Sequence, residues 1–131
     1  MSKTSIQKWE KSLLTYKKNC VQIMSLSKSI RYVGIINKYG RTLAGTLKPG
    51  IKPMFSRNQV RDEFFAISSF IKLRSKVTMP IGKLNYVLLN HQKVNSLILQ
   101  NNLIVYYITF PKDKLPSELL IKKINKITMQ V

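Results

Sequence analysis

Few side chains in this sequence are suited to acid–base or nucleophilic work. His91 is the only histidine and Cys20 the only cysteine. A nucleophile and its base need close approach and a third orienting group. Nothing near either residue supplies that pattern. His91 stands between Asn90 and Gln92 in a polar stretch that reads as a solvated turn. Cys20 falls on an apolar stripe and reads as a small buried hydrophobe. Asp62 and Glu63 are the only adjacent carboxylates. Neighbours on a helix point about 100° apart, so the two do not share a proton or a metal. They fit better as partners of the positive end of a helix. One cysteine and one histidine fall short of a metal-ligand set. Gly40, Gly45 and Gly50 recur in GRTLAG and GTLKPG, which match neither a Walker loop nor a dinucleotide fingerprint. The expectation is a protein that is not an enzyme and needs no cofactor.

Charge is the stronger chemical signal. Of 131 residues, Lys plus Arg number 23 and Asp plus Glu 5, for a net charge of +18. Codon bias raises lysine but would not suppress the acids, which are only Glu10, Asp62, Glu63, Asp113 and Glu118. A chain this basic repels itself, and an anionic partner relieves the repulsion. Lys38, Arg41, Lys48, Lys52, Arg57, Lys112 and Lys114 fall in predicted loops and form the candidate polyanion-binding set. Tyr39 and Phe55 are the aromatic neighbours able to stack on bases. No helix-turn-helix, zinc-finger or RNA-recognition signature is present, so such binding would read the phosphate backbone and not the bases.

The elements that position these groups follow from hydrophobic patterning. Leu103–Ile108 is apolar or aromatic at every position, as a strand covered on both faces requires. Asn101-Asn102 before it suits a tight hairpin after the strand Val94–Gln100. Ile6, Trp9, Leu13, Tyr16, Cys20 and Ile23 make one helical stripe over Thr4–Leu26, capped by Ser2, Thr4 or Ser5. Ile30–Asn37 and Thr42–Leu47 read as strands around a turn at Gly40, with Gly45 weakening the second or marking a bulge. Ser56 and Gln59 form a capping box for a helix over Ser56–Lys76. That helix carries two apolar stripes, Val60, Phe64, Ile67, Ile71 and Ala66, Phe70, Leu73, Val77. Leu84–Asn90 is a further strand. Leu119, Leu120, Ile124 and Ile127 mark a last helix over Pro116–Met129, with Asp113 or Ser117 as cap and Pro116 in its first turn.

The expectation is therefore one α+β domain over the whole chain, of order α-β-β-α-β-β-β-α. A central five-stranded antiparallel sheet would carry the Ser56–Lys76 helix on one face and the other two helices on the opposite face. The second stripe of the middle helix exceeds what one sheet face covers. With Leu84 and Tyr86 it forms a candidate homodimer interface of Ala66, Phe70, Leu73, Val77, Leu84 and Tyr86. No apolar run approaches the ~18 residues of a membrane span, and no apolar signal region follows Met1–Ser5. A cytoplasmic protein without an integral membrane segment is expected.

The hairpin Gly34-Ile35-Ile36-Asn37-Lys38-Tyr39-Gly40-Arg41-Thr42-Leu43-Ala44 resembles that of the Roadblock/dynein light chain domain, a relative of the profilin-like and longin folds. The shared features are a glycine early in the strand, a D-x-G-like turn and a small residue in the return strand. Ile81-Gly82-Lys83-Leu84, followed by two apolar strands, continues the likeness, which spans Leu13–Ile127. The chain is also similar to small archaeal proteins of this shape. The resemblance implies a regulatory or scaffolding module that dimerises and partners a small GTPase or another protein. The alternatives are a basic protein that binds DNA or RNA without sequence specificity, and a small-molecule sensor domain suggested by fold analogy alone.

Overall fold

The computed structural model describes residues 3–130. The sequence order of its elements is helix α1 (Lys3–Ser25), strands β1 (Tyr32–Ile36) and β2 (Thr42–Leu47), helix α2 (Arg57–Arg74), strands β3 (Val87–Asn90), β4 (Val94–Asn101) and β5 (Ile104–Pro111), and helix α3 (Glu118–Thr128). A 3-10 turn, Ser75–Val77, and one short helical turn, Thr78–Ile81, follow α2. The five strands form one antiparallel sheet in the order β2-β1-β5-β4-β3.

β5 lies at the centre because its side chains are apolar on both faces. Tyr106, Ile108 and Phe110 point to the side covered by α1 and α3, with Tyr16, Cys20, Ile23, Ile121, Ile124 and Ile127. Val105 and Tyr107 point to the side covered by α2, with Phe64, Ile67 and Ile71. Helices therefore cover the two faces in the expected arrangement. Each large side chain buried here is worth about 1.5–3 kcal/mol.

The ends of elements differ in detail from the sequence reading. Ser2 lies outside the described residues, while Thr4 and Ser5 lie within the first turn of α1. Of the α1 stripe, Tyr16, Cys20 and Ile23 are buried, whereas Ile6 and Trp9 are 43% and 52% exposed. The first turns of α1 thus carry their apolar residues outside the core. Ser56 caps α2 as expected: its hydroxyl accepts from the Gln59 N–H at 3.3 Å, and its own N–H donates to Gln59 Oε1 at 2.8 Å. Asp62 and Glu63 fall beyond the first turn of α2, too far in to serve its positive end. Ser117 caps α3, and Pro116 precedes the cap rather than entering the first turn.

The β4–β5 hairpin turns through Asn102 and Leu103, at φ 52° and 67°, while Asn101 remains paired with Ile104. That is a two-residue turn of the kind whose twist matches the strands, shifted by one residue from Asn101-Asn102. The irregularity in the β1–β2 ladder falls at Ile35/Ile36 and not at Gly45. Gly45 instead faces Gly34 across the ladder, and a Cβ on either would come within 3 Å of the Tyr32 hydroxyl. The pair leaves room for the Tyr32 ring. β3 begins at Val87, since Leu84–Tyr86 leaves the β4 ladder to pass beside the end of α2.

Candidate protein-interaction surface

α2 controls this surface because it has two apolar faces and the sheet can use one. Phe64, Ile67 and Ile71 are buried against the sheet. At 100° per residue, Leu73 lies about 180° around the helix from Phe64 and cannot reach the same sheet. Leu73 is 63% exposed, with Phe70 and Val77 each at 44%. Ala66 is also exposed, and Met79 and Ile81 extend the apolar surface beyond the helix. Val77, Leu84 and Tyr86 line one cleft of about 300 Å³ with Arg74, Ile81 and Lys83. Within it Tyr86 is exposed, whereas Leu84 is half-buried against the α2-side core. The structure therefore joins the two parts of the expected set: Ala66, Phe70 and Leu73 run along the helix, and Val77, Leu84 and Tyr86 meet at its end.

That end adjoins β3, an edge strand of the sheet. Its sequence, Val-Leu-Leu-Asn, has no charge and no proline, the features that usually block an edge from pairing with another chain. An apolar helix stripe beside an unprotected edge is suited to a second protein surface.

The basic residues do not form a single patch. The ladder pairs Tyr32 with Leu47 and Ile36 with Thr42. Arg41 and Lys48 thus sit at opposite ends of the β1–β2 hairpin, roughly 23 Å apart at the usual strand rise. Lys48 is half-buried, and its Nζ donates to the Lys28 carbonyl. Lys52 lies near Arg31 and Thr109, while Lys112 and Lys114 follow β5 at the Thr109 end of the sheet. Asn95 fixes that last turn by donating to the carbonyls of Pro111, Lys112 and Lys114. Lys38, Arg41 and Arg57 lie instead where the β1–β2 turn meets α2. Arg57 and Arg41 line a shared groove there with Arg61, which the sequence reading did not single out. Phe55 does not line that groove with Tyr39 but an apolar cleft with Tyr32 and Tyr107.

The turn itself is built by Asn37. Its Oδ1 accepts from the N–H groups of Tyr39 and Arg41 at 2.9 and 3.0 Å, the role an aspartate would play in a D-x-G turn. Gly40 takes φ 85°, and a Cβ there would meet the Phe65 Cα at 2.8 Å. Glycine thus allows the turn to rest directly on α2.

Two buried polar groups, at Tyr107 and Asn19, escaped sequence reasoning. Tyr107 donates its hydroxyl to Glu63 at 2.6 Å and accepts from Ser96 at 3.2 Å. Burial, then the Glu63 carboxylate, push its pKa upward. Asn19 donates to Tyr106 Oη and to the Gln130 carbonyl, tying α1 to β5 and the chain end. Cys20 is buried as its place on the apolar stripe implied, its thiol donating to the Val33 carbonyl, and burial raises the thiol to about 11. His91 lies exposed in the β3–β4 turn. Among the described residues no three of His, Cys, Asp and Glu gather as metal ligands, and no helix is long and apolar enough to cross a membrane.

No family model matches the sequence, and no curated protein matches it. Solved structures do match the fold. One is a Roadblock/LC7 domain from Streptomyces avermitilis, at 5% identity and TM-score 0.65, over 86% of this chain and 91% of that one. Another is the gliding protein MglB from Thermus thermophilus, at 8% identity and TM-score 0.69, over 88% and 87%. A third is MglB in a tetrameric arrangement, at 10% identity and TM-score 0.65, over 85% and 79%. At these identities the likeness is one of fold, and the fold is of the Roadblock/LC7 type.

Proposed function

We propose, with a Roadblock/LC7-type fold as the premise, that this chain is a non-catalytic regulatory or scaffolding module acting as a homodimer. The observation that carries the reading is the exposed stripe Ala66, Phe70, Leu73 and Val77 beside the uncharged edge strand β3. Two copies related by a two-fold axis would bury both features at once, because a symmetric interface presents the same patch from each side. The tetrameric arrangement of one MglB structure supports self-association as a use of this fold. The roadblock resemblance implies a small GTPase as the partner of the assembled dimer. The whole of residues 1–131 would act as the one domain.

Sedimentation tests the dimer. The parent is expected at twice the 15.2 kDa chain mass at micromolar concentration. Phe70→Glu with Leu73→Glu is expected to run as a monomer while keeping the parent circular dichroism spectrum. A parent that sediments at the chain mass would remove the proposal.

The charge of +18 favours one second reading, backbone binding to nucleic acid. The two-ended distribution of the basic residues supports it less than a continuous stripe would. Retention on DNA resin should then fall with salt, with a slope of roughly 0.9 per phosphate contacted. No retention at ~50 mM salt, where such contacts are weakly screened, would end that reading.

A further inference from the structure

We infer that the groove between the β1–β2 turn and the first half of α2 docks an acidic peptide segment of a partner protein. The inference rests on the interaction-module reading and gives the partner a chemistry. The groove holds about 560 Å³ and is lined by Tyr39, Arg41, Arg57, Arg61 and Phe65. That volume lies within the ~300–1,000 Å³ of sites enclosing ligand-sized groups, so a short segment fills it rather than a broad folded surface.

Three of the chain's five arginines meet here, against a background in which lysine supplies most of the charge. Guanidinium differs from ammonium in its planar fork, which holds a carboxylate through two parallel hydrogen bonds. Arg41, Arg57 and Arg61 make no side-chain hydrogen bond and no ion pair with any described residue. Their donors are thus available together along one groove. Asp62 is the one carboxylate in the lining, and it pairs with none of them. Three unpaired cations held close together repel one another, and acidic side chains relieve that repulsion. Phe65, 64% exposed, adds an apolar contact for a neighbouring side chain of the segment.

The aromatic ring in the groove favours peptide over single-stranded nucleic acid. The Lys38 and Lys72 ammonium groups lie 5.2 and 5.4 Å from the Tyr39 ring centroid. A base stacking on that ring must displace cation–π contacts already made. Carboxylates instead approach Lys38 and Lys72 where they stand. The groove shares no lining residue with the dimer stripe Ala66, Phe70, Leu73 and Val77.

The test is anisotropy of a labelled oligoglutamate peptide with one central leucine, with labelled oligothymidylate of equal charge as the second probe. The full chain carries R41Q, R57Q and R61Q together, all exposed positions whose side chains hold no bond in the fold. K52Q with K112Q and K114Q removes the same charge from the opposite end of the sheet. The arginine variant is expected to bind the peptide at least about tenfold more weakly, and the lysine variant within about twofold of the parent. Phe65→Ser should weaken the peptide and leave oligothymidylate unchanged. Equal losses in the two charge variants would overturn the inference, as would absence of saturable peptide binding or a larger loss for oligothymidylate than for peptide. Sedimentation of the arginine variant separates the two readings. A dimer that has kept peptide affinity overturns the groove alone, and a parent that is monomeric overturns the dimer alone.

Discussion

Gly40 shows how one residue sets the position of a surface. Its φ of 85° lies where side chains are disfavoured, and the Phe65 backbone occupies the space a Cβ needs. Gly40→Ala should cost roughly 1–3 kcal/mol in denaturant unfolding and move the turn away from Arg57 and Arg61. The glycine was legible as a turn residue, but its contact with α2 was not, because sequence carries no distance between elements. The same holds for Tyr107, whose apolar neighbours marked it as core while its hydroxyl partner Glu63 lies 44 positions away. Tyr107→Phe should destabilise by about 1–3 kcal/mol through the loss of a charged hydrogen bond. Burial pushes the Tyr32 hydroxyl up to about 12, with the Cys20 charge adding to it, and raises the Cys20 thiol to about 11. The corresponding values in the unfolded chain are near 10 and 9. Both folded values are raised, so their contribution is fully present below about pH 9 and is lost as pH rises through 11–12. The urea midpoint should hold between pH 7 and 8.5 and fall above 9. A midpoint unchanged to pH 12 would contradict this.

At the scale of elements, periodicity carried most of the information. An unbroken apolar run identified β5 as central, and a period near 3.6 identified all three long helices. Two-sided burial follows from such a run, so Val105→Asp should cost on the order of 3–5 kcal/mol by placing an unpaired charge beside Ile98 and Ile36. A variant that melts like the parent would take Val105 out of the core. Ends of elements were less legible. β3 loses Leu84–Tyr86 because its continuation passes to the end of α2, and the β4–β5 turn shifts to a leucine at positive φ because ladder register, and not turn preference, places it. The α1 stripe is regular throughout, yet Ile6 and Trp9 lie outside the core, since periodicity does not report how far a helix overhangs its sheet.

For the whole molecule, the fold was legible and the candidate sites only in part. The second stripe of α2 had to be exposed, because a helix cannot bury opposite faces on one sheet. Arg41 and Lys48 are close along the chain but not in space: the strand register separates them, and the α2 crossing brings Arg61 to Arg41. Self-association through α2 and β3 is the central proposal. Its most direct test is the sedimentation mass at micromolar concentration of the parent beside Phe70→Glu/Leu73→Glu. The expected masses are twice 15.2 kDa for the parent and 15.2 kDa for the folded variant. A monomeric parent, or a variant that stays dimeric, would contradict it.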